Sequence, residues 1–496
     1  MGGKMATKNY LVFDFGASNG RASVAVFDGS KFEFDIVHRF DNIPVNAAGT
    51  LYWDFLRLFG DLKTGLLAAA KKYSQLQSMA IDTWGVDFGI IDKNGKLISN
   101  PIHYRDEKRN SMTEEVFGII SREELFKLTG CAMLSYYSIF NLYSLKIQES
   151  PEYQNAGKLL MMPDLFNYFL TGVAVNEYTE AHTTLMCSPF TKDWEFKIID
   201  KLGFPTDIFS KVIQPGTEIA YLQENVCKEL EIKPLRVIAP ASHDTPSAIA
   251  GIPVPDNSGN RVFMSIGTWG VSILEMDSPL IKTEILDAGF ANEAGAEGKM
   301  LLFKNFVGMW IIQQSRNYWL KDKKDISWDD IMYSAKDAKP SGAIINVDDS
   351  AFLLGQHNMP QLICDFCKKT GQKIPEGIGE IARVVYEGFA LKIKHDILNL
   401  EKITGSKFEA INIVGGGTKD ELYCQWAADA SGLEVFAGPT ETTSIGNLLM
   451  QLKAAGEIKN LSDGRQLSLN SSKIKQYSPA GTAYWDSQYE KYLKIL

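Results

Sequence analysis

The chain has 496 residues, of which 45% are hydrophobic, 22% charged and 11% aromatic. At roughly 100–200 residues per domain this corresponds to about two to four globular domains, and disorder, collagen and coiled coil are excluded as global descriptions. With 51 Lys and Arg against 60 Asp and Glu, the net charge of −9 leaves no basic field to attract nucleic acid or an anionic membrane.

Short apolar runs alternate with longer amphipathic stretches from end to end, which points to an α/β architecture. Residues 10–15 read as a strand, 16–20 as a tight turn and 21–27 as a second strand. Asp28-Gly29 then turns the chain into a third strand at 31–34. A helix is expected from about 53 to 73, and a buried strand begins at 79. The run 81–88 reads as one buried strand carrying Asp82, Thr83, Trp84 and Asp87 beside Gly85. Burying those polar groups is costly without partners, which either sugar hydroxyls near the indole or internal hydrogen bonds would supply. Further on, a strand at 237–242 leads into His243-Asp244-Thr245-Pro246. Thr245 is expected as the N-cap and Pro246 as the first helical residue, so Asp244 falls just before a helix N-terminus. A carboxylate there can accept a proton from a hydroxyl that attacks phosphorus. The alternative is an acid that only complements the helix dipole, which would lower its pKa.

The segment 251–260 is the densest cluster of turn formers and lies near the midpoint, so a domain boundary is placed there. Beyond it the opening pattern returns, with a strand at 261–266, a glycine turn at 267–270 and a strand at 271–274. The expectation is two similar halves with a ligand cleft between them. A third glycine turn, Gly415-Gly416-Gly417, follows the strand 411–414. Each turn fits an ordinary tight turn by itself, but exposed backbone N–H groups in all three can cradle phosphate without a lysine. Asp14 at the first strand's end suits an oxygen ligand to a divalent cation.

Several other chemistries are excluded. No Gly-Lys pair is followed by Ser or Thr, so a P-loop is absent, and Gly415-Gly416-Gly417-Thr418-Lys419-Asp420 does not complete a dinucleotide fingerprint. Asp14-Phe15-Gly16 and Asp87-Phe88-Gly89 lack the companion motifs of a protein kinase. Six scattered cysteines imply no disulfide framework, and Cys364 and Cys367 read as thiols on one helix face rather than a zinc or redox site. The N-terminus lacks the apolar core of a signal peptide, and no run approaches about 18 apolar residues, so a cytoplasmic protein is expected.

The residues that carry a resemblance are Asp14 to Arg21, Asp82 to Phe88, Tyr104-Arg105-Asp106, His243-Asp244-Thr245 and Ser265 to Trp269. They continue with Asn292 to Gly298, Lys304-Asn305, Gly308, Trp310, Val414 to Gly417, Ala437-Gly438-Pro439 and Ile445-Gly446-Asn447. In this order the chain resembles the FGGY carbohydrate kinases of the actin-like ATPase group over residues 10 to 455. The resemblance implies two duplicated ribonuclease-H-like domains with a central ligand cleft, residues 1–250 binding sugar and 251–496 binding ATP. It implies an ATP-dependent kinase acting on the C1 hydroxyl of a 6-deoxy ketohexose, L-rhamnulose first and L-fuculose as the alternative, with magnesium. By the same resemblance Asp244 is the proton acceptor, and Gly85, His243, Thr245 and Asn305 touch the sugar. Ala17, Ser18, Asn19, Gly20, Arg21, Thr268, Gln313 and Gly416 hold ATP, and Asp14 contacts the metal. Gly270 replaces a serine of the family pattern, Pro246 stands at a usually small position, and Ala294 stands for a second glycine. An actin-like ATPase switch and a sugar-sensing pseudokinase are the readings of another class. The first has no use for the 82–88 cluster or Asn305, and the second should have lost Asp244. The partners expected are the sugar and ATP, with no nucleic acid and no membrane. Monomer and dimer both remain open.

Overall fold

The strand Lys8–Phe15 pairs antiparallel with Asn19–Phe27, which pairs antiparallel with Phe32–Asp41. On its other side Lys8–Phe15 pairs parallel with Leu76–Thr83, which pairs parallel with Arg236–Ala239, and the strand Thr217–Tyr221 closes that edge antiparallel. Alternation in the first strand explains why it is central. Leu11, Phe13 and Phe15 point to one face, and Tyr10 and Val12 to the other, and all are buried. The first face packs on Leu58, Leu62 and Leu66 of the helix Phe55–Lys72, and the second on Leu448, Leu449 and Leu452 of the helix Thr442–Ala454. Asp54 caps the first of these helices by accepting a hydrogen bond from the Arg57 N–H at 3.3 Å.

This computed structural model describes residues 7–254, 259–321, 325–353 and 358–496. It divides into one unit of residues 1–256, 275–302 and 442–471 and a second of 257–274, 303–441 and 472–496. Part of the turn-rich segment expected to join the halves, residues 255–258, lies outside the described residues.

In the second unit Arg261–Ile266 pairs antiparallel with Trp269–Met276, whose other neighbour is Met300–Val307. Arg261–Ile266 also pairs parallel with Ala410–Val414, which pairs parallel with Glu434–Ala437, and Lys475–Tyr477 adds an antiparallel edge. The 28-residue helix Gly377–Thr404 buries Val385, Phe389 and Ile393. The order of these six strands, and the sense of the pairs given, repeat those of the first sheet, with Ala291–Ala294 added beyond Met300–Val307, which is the duplicated ribonuclease-H-like, actin-like fold expected from sequence.

Two local expectations are corrected. The run 81–88 is not one strand: Leu76–Thr83 ends at Thr83, residues 84–87 form a loop, and Phe88–Asp92 begins a strand paired with Ala156–Met161. The break follows from Val86, whose φ of 70° is left-handed and incompatible with a strand. Thr245 is not an N-cap: the helix is Asp244–Gly251, with His243 at the cap position and no side-chain cap bond. A backbone bridge between His243 and Thr83 keeps His243 extended and sets where the helix starts. All six cysteines are free, and Cys364 and Cys367 share the helix Met359–Lys369 as expected.

Candidate active site

In the first unit three carboxylates converge at adjacent strand ends. Asp14 lies opposite Asp82 in the parallel pair and opposite Arg21 in the antiparallel one. Its Oδ2 accepts from Arg21 Nη2 at 2.7 Å and from Ser444 Oγ at 3.1 Å. Asp82 is fully buried, and its Oδ2 accepts from Asn447 Nδ2 at 2.6 Å while Oδ1 has no hydrogen-bond partner. Burial first, then the nearby charges of Asp14 and Asp244, push the Asp82 pKa well above the usual carboxylate range.

Asp244 is recessed, with 36% of its side chain exposed, and accepts from Thr245 Oγ1 at 3.2 Å. Its pKa is raised, chiefly by burial with Asp14 and Glu293 adding, against the pull of His243 and Thr245. A raised pKa suits a proton acceptor, while the position of Asp244 in the first turn of the helix keeps it where the dipole acts as well.

His243 adjoins Asp244 and is held on several sides. Its N–H donates to Thr179 Oγ1 at 3.2 Å, its Nδ1 forms a 2.6 Å ion pair with Glu293 Oε1, and its Nε2 lies 3.5 Å from Asp244 Oδ1. Burial alone would lower the imidazole pKa, but Glu293, with Asp244 and Glu177, pulls it up to about 9. Gly85 makes this placement possible, because a Cβ there would stand 2.9 Å from His243 Nε2 and 3.0 Å from Thr183 Cγ2. The next residue, Val86, sits in a conformation that costs on the order of 1–3 kcal/mol. It is held there by three bonds: its N–H donates to Thr183 Oγ1 at 2.8 Å, and its carbonyl accepts from Arg109 Nη2 at 2.7 Å and Ser138 Oγ at 2.6 Å. Asp87 then forms a fully buried ion pair with Arg109 and accepts from Trp53 Nε1 at 2.6 Å, Trp84 Nε1 at 3.1 Å and the Tyr104 N–H at 3.2 Å. The Trp53 ring lies 4.0 Å from Trp84 and 4.0 Å from His103, giving the loop an aromatic backing.

The turn Ala17 to Arg21 is closed by Gly16 N–H donating to the Asn19 carbonyl at 2.8 Å, and Asn42 straps it through Gly16 O and Ser18 O, both at 3.0 Å. Ser18 and Asn19 are exposed and Gly20 is buried.

In the second unit the structure brings Thr268 and Gln313 together, with Thr268 Oγ1 donating to Gln313 Oε1 at 3.2 Å. Gly308 supports that turn: a Cβ there would lie 2.6–2.7 Å from Trp269 C, Gly267 O and Gly270 N. Of the three consecutive glycines, Gly415 and Gly417 are packed against Ile266, while a Cβ on Gly416 would meet nothing within 4 Å. Gly416 is thus the one of the three whose backbone stands open. Asn305 is exposed on the strand Met300–Val307.

Sequence reasoning assigned no role to Glu293, Ser444, Asn447, Arg109 or Asn42. Glu293 and Asn447 stood inside the motifs that carried the resemblance, whereas Arg109 had no local signal. Among the described residues no three His, Cys, Asp or Glu side chains are grouped to hold a metal by themselves, and no helix is long and apolar enough to cross a membrane.

The chain is similar to known proteins over nearly its whole length. The N-terminal domain of the FGGY carbohydrate kinases matches residues 9–251 and the C-terminal domain matches residues 262–455. A rhamnulokinase of Bacteroides thetaiotaomicron is 35% identical over 97% of this chain and 98% of its own length, and one of Halalkalibacterium halodurans is 36% identical over 95% and 99%. Among solved structures, a xylulose kinase from Lactobacillus acidophilus superposes with a TM-score of 0.83 at 18% identity, covering 98% of this chain and 97% of that one. A gluconate kinase from the same organism gives 0.82 at 18% identity, over 99% and 98%. With both domain types in order and relatives aligned almost end to end, the chain belongs to the FGGY family of carbohydrate kinases.

Proposed function

We propose that the chain transfers the γ-phosphoryl group of ATP to the C1 hydroxyl of L-rhamnulose. The observation that carries this reading is Asp244, a recessed carboxylate that opens the helix Asp244–Gly251 directly after His243. The rhamnulokinase relatives support the choice of sugar. In the step proposed, the C1 oxygen forms a bond to the γ-phosphorus, the bond from that phosphorus to the bridging oxygen of ADP breaks, and the hydroxyl proton passes to an Asp244 Oδ. Phosphoryl transfer has a loose transition state, so positioning and charge neutralisation dominate and the proton need move only late.

Gly85, His243, Thr245 and Asn305 are the sugar contacts in this reading. The turn 17–21, Thr268, Gln313 and Gly416 are the ATP contacts. Asp14 and Asp82 suit one magnesium ion, since the orphaned Asp82 Oδ1 and the mutual repulsion of the carboxylates are what a hard cation relieves. Magnesium is commonly held by one or two carboxylates plus phosphate and water, and when bound it would neutralise charge on the phosphates. ATP supply places the reaction in the cytoplasm.

The test is product identification by phosphorus and carbon NMR after incubation with magnesium ATP and L-rhamnulose, L-fuculose, L-xylulose, L-ribulose or glycerol. The expected result is a C1 phosphate ester formed fastest from L-rhamnulose. Preference for L-fuculose would reassign the sugar, and no ester from any of them would remove the kinase reading.

A further inference from the structure

The position of Glu293 calls for an explanation that the sugar and phosphate contacts do not provide. It lies on the short strand Ala291–Ala294, is 8% exposed, and directs its carboxylate to His243 rather than to solvent. The strand is pinned on both sides of the chain by its neighbour Asn292. That residue's N–H donates to the Gly130 carbonyl at 2.8 Å, its Nδ2 donates to Leu280 O at 2.9 Å, and its Oδ1 accepts from the Leu280 N–H at 2.7 Å. Gly130 is left-handed at φ 68°, and a Cβ there would press on Asn292 Nδ2 at 3.0 Å. The backbone that carries Glu293 is thus fixed from residues far away in sequence, and the missing side chain at Gly85 opens the space the His243 ring occupies.

We propose that Glu293 is a positioning residue for the transfer step: it clamps the His243 ring through Nδ1 so that Nε2–H faces Asp244 and the reacting hydroxyl. This inference rests on the kinase reading above. A carboxylate at ion-pair distance from the inner nitrogen holds the imidazole by charge rather than by an aligned hydrogen bond and favours its cationic form, leaving the outer nitrogen a donor through about pH 8. The groups that face the ring are Glu293 from its strand, Asp244 from the adjoining helix, and Glu177 and His182 from the segment beneath. His182 is itself pulled down to about 4 by burial, so it adds no positive charge at neutral pH.

The test compares wild type, Glu293→Gln, Glu293→Asp and His243→Gln, the last to assign one of the six histidines in spectra of 15N-histidine-labelled protein. Wild-type His243 is expected to stay protonated through pH 8. In Glu293→Gln its midpoint should fall by at least one pH unit, toward the ordinary value of about 6.5 or below it. At pH 8 the same variant should lose about 10- to 100-fold in kcat/KM for the ketose, the usual worth of an outer partner that orients a site residue. The loss should shrink as pH falls below the new midpoint, because protonation restores the donor, and the KM for ATP should not move. Glu293→Asp should lie between the two. A wild-type His243 that titrates near 6.5, an unchanged midpoint in Glu293→Gln, or a loss equal at all pH values would overturn the inference. The titration needs no substrate, so failure of the kinase reading would show separately, as wild-type protein without sugar-dependent turnover.

Discussion

In the first unit the central strand ends with Asp14 opposite Asp82 on its parallel neighbour, whereas the equivalent pair in the second unit is Ser265 opposite Val414. The turns that follow are built alike. Gly16 N–H donates to Asn19 O at 2.8 Å and Gly267 N–H to Trp269 O at 2.9 Å. Gly20 lies beneath the ring of Phe40 and Gly270 beneath that of Phe306, where a Cβ would come within 2.2 Å and 2.3 Å. The backbone device is therefore kept by glycine and phenylalanine, and the strand-end side chains differ. Carboxylates at one set of ends suit metal and proton chemistry, and a hydroxyl with open glycine backbone at the other suits a nucleotide. One backbone scaffold can thus present different chemistry at its two sets of strand ends through a handful of exchangeable side chains.

Changing Asp244 attacks the acidic half at its most sensitive point. Asp244→Asn should lower kcat by about 10²- to 10⁴-fold while calorimetry finds sugar affinity nearly unchanged. Next in size is Arg109→Met, which leaves Asp87 buried without its cation. Urea unfolding should register a loss of about 3–5 kcal/mol. Gly308→Ala tests the glycine half, because its new methyl must displace the turn that carries Thr268. Steady-state kinetics should give a KM for ATP raised by about 10-fold or more, with a stability loss of about 1–3 kcal/mol. The smallest effect has the opposite sign. Asp82 has a raised folded-state pKa, so wild-type protein loses stability as pH rises from the unfolded value of about 3.9 toward the folded one. Asp82→Asn carries no such loss. In magnesium-free buffer thermal unfolding should show it more stable than wild type near pH 7, by about 1–3 kcal/mol, with the advantage vanishing below about pH 4.

The parts of the fold with strong periodicity were legible. The strands near 10–15 and 21–27 alternate faces, and the helix Phe55–Lys72 buries residues at three- and four-residue intervals, close to the span expected. The division of 81–88 was not legible, because a β-branched valine gives no local sign that its backbone is left-handed. The start of the helix at Asp244 was misplaced because Thr is a common cap, while a tertiary bridge to Thr83 decided the matter. At the site, Asp14, Gly85, His243 and Asp244 stood in motifs that can be read along the chain. Their pairings cannot be read that way: Glu293 and Asn447 also stand in motifs, but Glu293 reaches His243 across 50 residues, and Ser444 and Asn447 reach Asp14 and Asp82 across more than 360. Such pairs are made by the fold and leave no spacing to detect.

The division of labour between the halves is tested most directly by a two-substrate kinetic matrix, ATP against L-rhamnulose, on Asp244→Asn and Gly308→Ala. The account predicts that Asp244→Asn loses kcat with both KM values within about threefold of wild type, and that Gly308→Ala raises the KM for ATP alone. Near-wild-type turnover by Asp244→Asn, or an ATP KM unmoved in Gly308→Ala, would contradict it.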